Sequence, residues 1–141
     1  MKIISNEDKK RLIKAITLAE NNTSGEIRVH FQKKVKGDIY EAAVKKFEKL
    51  GMTKTELRNG VLIYVALKNR EFAIVGDTGI HEKVDSGFWD ETVKAMKEHF
   101  SQDDIILGIE KGLEIAGKIL KQHFPHELND KNELSDEISI N

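Results

Sequence analysis

Apolar positions change period several times along the chain, and each change marks a predicted element. Leu12, Ile13, Ile16 and Ala19 recur at helical spacing. Ser5 followed by Asp8 supplies a capping-box variant at the start of that helix, with Asp where Glu or Gln is preferred. The polar run Asn21-Asn22-Thr23-Ser24-Gly25 ends it and turns the chain. The next segment alternates, with Ile27, Val29 and Phe31 on one side and Arg28, His30 and Gln32 on the other. Such alternation predicts a half-buried strand near a sheet edge. Asp38 is placed to cap a second helix whose inner face is Tyr40, Ala43, Val44, Phe47 and Leu50, with Gly51 as its C′ residue. Gly60 to Leu67 is a continuous apolar run, which predicts a central strand covered on both faces. Lys68-Asn69-Arg70 is a short turn, and Glu71 to Gly76 returns as the hairpin partner.

After Gly79 the pattern becomes helical again, with Phe88, Trp89, Val93, Met96 and Phe100 on one face. Asp103 or Asp104 opens a last helix through Ile106, Ile109, Leu113, Ala116 and Leu120 toward Phe124. Gly108, Gly112 and Gly117 lie inside it. Each costs about 1 kcal/mol relative to alanine in a helix interior, so the expectation is close packing of this helix on the sheet. Pro125 ends the domain.

These elements constrain one another. The strand beginning at Gly25, the helix beginning near Ile39 and the strand beginning at Gly60 form a β-α-β unit, whose long crossover makes the two strands parallel. The strand ending at Gly76 is antiparallel to the second because its turn is short. Parallel strands share the edge where they start, and an antiparallel partner ends there. Ser24-Gly25-Glu26, Arg58-Asn59-Gly60 and Gly76-Asp77 are therefore expected on one rim.

Glu26 and Asp77 with the amide oxygen of Asn59, near backbone carbonyls freed by glycine, make a hard-oxygen environment suited to calcium or magnesium. Asp85 and Asp90 follow in the next loop and helix and extend the candidate ligand set. The plainer alternative is that Asp77 caps the helix starting near Gly79 while Glu26 points to solvent.

Composition narrows the chemistry. The 141 residues suit one domain over 1–125, with an acidic tail over 126–141 expected to be disordered or weakly helical. Glu127, Asp130, Glu133, Asp136 and Glu137 stand in that tail against Lys131 alone, although the whole chain carries a formal charge of only −1. No global basic field draws nucleic acid or an acidic membrane. A basic area at Lys33, Lys34, Lys36, Lys45, Lys46 and Lys49 lacks interleaved aromatics and reads as a solvated face. The absence of cysteine excludes disulfides, thiolate zinc sites and cysteine nucleophiles. The N-terminus has no signal-peptide pattern and no apolar run reaches the ~20 residues that span a bilayer, so the expectation is a soluble, cytoplasmic protein without nucleic-acid or membrane partners.

Motif matches mostly dissolve on inspection. Asp77-Thr78-Gly79 looks like half of an aspartic protease, but that architecture is all-β and this chain predicts four helices. His81-Glu82 and His126-Glu127 imitate a zincin opening without the second histidine one turn on. Gly76 and Gly79 lead into no Gly-Lys-Ser/Thr ending, so they form no phosphate loop. Ser24 and Ser86 have no recognisable base and acid, and Trp89 with Phe88 reads as core or pocket wall.

The ordered set "SGEIRV", "RNGVLIYVALKNREFAIVGDTGIHEKV", "FWDETVKAMKEHF" and "GIEKGLEIAGKILKQHFP" resembles the TPM domain family, in its short, stand-alone bacterial form. The resemblance runs from about Leu12 to Pro125 and leaves the tail outside. It implies a Rossmann-like, three-layer α/β/α sandwich around a small mixed sheet, and calcium or related divalent-ion binding in some members. It also implies links to photosystem II repair and acid phosphatase activity among plant members. Longer members carry signal peptides and membrane anchors, which this sequence does not show. A family pattern of Gly-x-Gly followed by Leu-Glu is replaced here by Gly76-Asp77-Thr78-Gly79-Ile80-His81-Glu82. Asp77 and Glu82 are the acids of that altered segment. The resulting expectation is a divalent-cation site with Asp77 first, then Glu26, Glu82 and Asn59, then Asp85 and Asp90. A metal-assisted phosphatase and a protein-interaction module acting through the tail stand as alternatives.

Overall fold

Helix starts follow their capping residues in the computed structural model, which describes residues 4–21, 23–84, 87, 89–125 and 138–140. Ser5 Oγ accepts the Asp8 N–H at 3.0 Å and opens α1 (Asn6–Glu20). An Asp38 carboxylate oxygen accepts the Glu41 N–H at 2.9 Å and opens α2 (Ile39–Lys49), and Gly51, at φ +73°, follows the helix end in the left-handed conformation that favours glycine. Asp104 caps α5 (Ile105–His123) through the Leu107 N–H. Between α2 and α5 lie β2 (Gly60–Ala66), β3 (Glu71–Gly76), α3 (Thr78–Lys83) and α4 (Asp90–Phe100), and β1 (Glu26–Gln32) precedes α2. The expected single helical stretch after Gly79 is thus two helices; Phe88 lies outside the described residues.

β1 and β2 pair in parallel with Glu26 opposite Gly60, and β2 and β3 pair antiparallel with Val61 opposite Gly76. A short β4 (Ser139–Ile140) adds to β1 in parallel, so the four-stranded order is β3-β2-β1-β4. Residues 126–137 are outside the described set, but Ile138 is buried in the main core. The last residues of the expected tail therefore belong to the folded unit.

Strand alternation splits the core in two. Ile27, Val29, Phe31, Val61, Ile63 and Val65 pack with α1, α4 and α5, while Leu62, Tyr64, Ala66, Ala73 and Val75 pack with Ala43 and Phe47 of α2. The result is the expected three-layer α/β/α sandwich. β1 departs from expectation in part: Arg28 and Gln32 of its polar row are half-buried as expected, but His30 in the same row is 0% and Glu26 at the strand start 3% exposed. The His30 ring stacks on Tyr64 at 5.1 Å and its Nε2 meets Gln32 Oε1 at 3.0 Å. Burial first lowers the imidazole pKa, the Gln32 hydrogen bond opposes this, and the charges of Lys46 and Arg28 lower it further.

The glycines of α5 also serve a different contact from the one expected. An added Cβ at Gly112 would lie 2.6 Å from Met96 Sδ of α4, and one at Gly117 would lie 2.8 Å from the Ala19 backbone of α1. They let α5 approach its neighbouring helices rather than the sheet.

Candidate functional site

The sheet brings the three predicted segments to one rim. Glu26 begins β1, Asn59 immediately precedes β2, and Asp77 immediately follows β3. Backbone bonds tie them crosswise: Glu26 N–H donates to Asn59 O at 3.4 Å, and Asp77 N–H donates to Gly60 O at 3.0 Å. The missing side chain at Gly60 is what lets the loop after α2 close over this rim, because a Cβ there would sit 3.0 Å from Met52 O.

Asp77 is buried and fully engaged. Its Oδ2 accepts Arg58 Nε at 2.7 Å, while its Oδ1 accepts Arg58 Nη2 at 2.9 Å and the Thr78 N–H at 2.7 Å. It is therefore the N-cap of α3 and one half of a bidentate ion pair. The hydrogen bond to Asp77 raises the guanidinium pKa, partial desolvation opposes this, and the carboxylate charge raises it again. Arg58 has φ +51°, and its carbonyl accepts the Gly79 N–H at 2.8 Å. A Cβ at Gly79 would lie 2.0 Å from Leu57 O, so only glycine lets α3 seat on this loop.

Two neutral oxygens complete the inventory. Asn59 is 1% exposed; its Nδ2 donates to Ser24 Oγ at 3.2 Å, while its Oδ1 is buried without a hydrogen-bond partner among the described residues. Thr55, in the loop between α2 and β2, is buried, and its Oγ1 likewise has no hydrogen-bond partner among the described residues. Buried polar atoms are nearly always satisfied in folded proteins, by protein, water or ion. Sequence reading missed Thr55, since a loop hydroxyl carries no periodic signal. It also missed Glu20, whose Oε2 accepts the Ile27 N–H at 2.7 Å beside the rim.

The remaining predicted ligands are not drawn in. Glu82 is on the exposed side of α3, whose buried residues are Gly79 and Ile80. Asp90 is exposed at the start of α4, with its carboxylate over Gly87. Asp85 lies outside the described residues. Among the described residues no three acidic or histidine side chains gather closely enough to hold a metal by themselves. A cation here would need Asn59, Thr55 or a backbone carbonyl beside the carboxylates. That donor set is all hard oxygen, which fits calcium or magnesium and not zinc.

Comparison with known proteins places the chain in a family. A family model described as the TPM domain matches residues 1–119. No match was found among curated protein sequences. In the solved structures, the BA42 protein of the psychrophilic bacterium Bizionia argentinensis is 41% identical with a TM-score of 0.93, covering 99% of this chain and 97% of its own. The N-terminal domain of the cg2496 protein of Corynebacterium glutamicum shares the fold at 20% identity and TM-score 0.67, with 84% of this chain and 74% of that one covered. The N-terminal domain of a P. gingivalis protein does so at 16% identity and TM-score 0.72, covering 89% and 83%. Among the described residues no helix is long and apolar enough to cross a membrane. The family match over most of the sequence and the close agreement with BA42 along nearly its whole length lead to one conclusion: the chain belongs to the TPM domain family.

Proposed function

We propose that this TPM domain binds a divalent cation, calcium first and magnesium second, at the rim where β1 and β2 begin and β3 ends. The observation that carries the reading is two buried oxygens, Asn59 Oδ1 at this rim and Thr55 Oγ1 in the loop leading to it, which have no hydrogen-bond partner among the described residues, in segments that adjoin the buried Glu26 and Asp77. An ion would satisfy the neutral oxygens. Calcium takes 6–8 oxygens in flexible geometry, so a mixed donor set suits it better than magnesium. A metal-assisted phosphatase needs a cationic clamp for the phosphoryl group, and Arg58, the arginine of this rim, is already committed to Asp77. The observations therefore favour binding over turnover.

Titration with calcium and then magnesium, followed by backbone amide NMR, tests the reading. Shifts should concentrate at 24–26, 55–60 and 76–79. The melting temperature should rise as mass action requires, by about 2.7 kcal/mol of stability at one hundred times the dissociation constant. Shifts confined to the acidic C-terminal segment would mean diffuse counterion association and would end the proposal.

A further inference from the structure

The two edges of the sheet are finished differently. β4 lies along β1 at His30 and Phe31 and covers part of that edge, whereas β3 at the other end pairs with β2 alone. Two bonds fix which way the β3 amides point. Asp77 N–H donates to Gly60 O at 3.0 Å, and Leu67 N–H turns away from β3 to Gln32 O of β1 at 2.9 Å. Leu62, Tyr64 and Ala66 therefore direct their amides at Val75, Ala73 and Glu71. The N–H and C=O groups of Phe72, Ile74 and Gly76 point outward, where no backbone hydrogen bond meets them among the described residues. We propose that this edge is a docking site for an extended segment of a partner protein, which adds to β3 as a further strand and presents an apolar and an acidic side chain on one face.

Backbone, groove and charge each select that occupant. Outward donors and acceptors at every second residue are matched by another extended backbone. Natural edge strands are commonly blocked by proline, a bulge or an inward charge, and Phe72 to Gly76 holds no proline or charge and keeps a continuous register with β2. Beside Phe72 lies a groove of about 580 Å³ whose walls include Lys97 and Phe100 of α4. The Phe72 and Phe100 rings meet edge to face at 5.0 Å, so its aromatic wall suits an apolar side chain on that face of the added strand. Arg70 and Lys97 stand against Glu71 around it. Arg70 already meets Asp103, while Lys97 has no ion pair among the described residues. An acid two residues along the partner strand from the apolar side chain shares its face and answers Lys97.

The test titrates the full chain with the acetylated, amidated peptide Thr-Glu-Thr-Phe-Thr-Glu-Thr, followed by calorimetry and amide NMR. Amide shifts should be large at Phe72, Ile74 and Gly76 and small at Ala73 and Val75, since only the outward groups gain a bond. Two further peptides carry N-methyl groups on alternate residues, one set on the threonines and the other on the remaining residues. One set should abolish binding and the other preserve it, because only alternate amides of an added strand face β3. Lys97→Glu, at an exposed position, should weaken binding about five-fold and favour a peptide with lysine in place of glutamate. No binding at millimolar peptide, equal loss with both methylated sets, shifts without alternation, or unchanged affinity in Lys97→Glu would each overturn the proposal. Shifts over 72–76 that appear when the protein alone is concentrated would make a second copy the occupant and overturn it likewise.

Discussion

The two rims of the sheet carry nearly the same parts in different states of completion. Each has an asparagine and an arginine with positive φ: Asn59 and Arg58 at one, Asn69 and Arg70 at the other. Asn69 is satisfied at both ends of its amide, accepting the Val35 N–H at 3.1 Å and donating to Val35 O at 2.9 Å. Asn59, more deeply buried, leaves its oxygen without a partner among the described residues. Arg70 meets Asp103 at 2.8 Å where both side chains are about two-thirds exposed, whereas Arg58 grips a buried carboxylate with two nitrogens. One rim is finished as architecture. The other holds buried donors to spare, and that surplus is the physical content of the functional reading.

The largest predicted effect breaks the candidate rim outright. Gly79→Ala places a Cβ against the carbonyls of Leu57 and Arg58, which belong to backbone and cannot rotate aside. It should cost about 3 kcal/mol or more and lower the melting temperature by about 10 °C. A melting temperature within 2 °C or so of wild type would show that the loop and α3 do not meet as described.

The asparagines give the next contrast. In chelator, Asn69→Ala removes two hydrogen bonds that tie the hairpin turn to the loop after β1, and should cost about 2 kcal/mol in urea denaturation. Asn59→Ala removes one bond to Ser24 along with a dissatisfied oxygen, and should cost under about 1 kcal/mol. With calcium the order of importance reverses, because only the Asn59 variant should lose the stabilising response. If Asn59→Ala is the costlier change in chelator, its oxygen is satisfied in the ion-free protein and the contrast between the rims collapses.

Much of this was legible in the sequence, for a definite reason. The shared rim follows from strand direction alone, and strand direction follows from the length of the connections: a helical crossover for β1 to β2 and a tight turn for β2 to β3. The ion pair was legible in principle, because that register sets residues 58–60 beside Asp77. The burial of His30 was not, since the alternation of β1 gives no sign that one position of its polar row is fully covered. Nor was the role of the α5 glycines, because a one-helix pattern does not say whether small residues face a sheet or another helix. Thr55 had no signal at all, lying in a loop where neither period nor motif applies. Periodicity thus locates elements and their ends; it does not say which side-chain atoms at those ends find partners.

The smallest predicted effect is the sharpest control. Asp103 is exposed, has φ +60°, and pairs with an exposed arginine. Asparagine tolerates the left-handed region, and exposed ion pairs contribute little, so Asp103→Asn should change stability by less than about 0.5 kcal/mol and leave the calcium response intact. Asp77→Asn keeps a competent helix cap but removes the buried charge, and should cut the calcium-induced rise in melting temperature by at least about half. The two substitutions are chemically identical and each removes the acid partner of a positive-φ arginine. A calcium response that survives in both would take Asp77 out of the site, and one lost in both would make the effect a matter of net charge rather than of place.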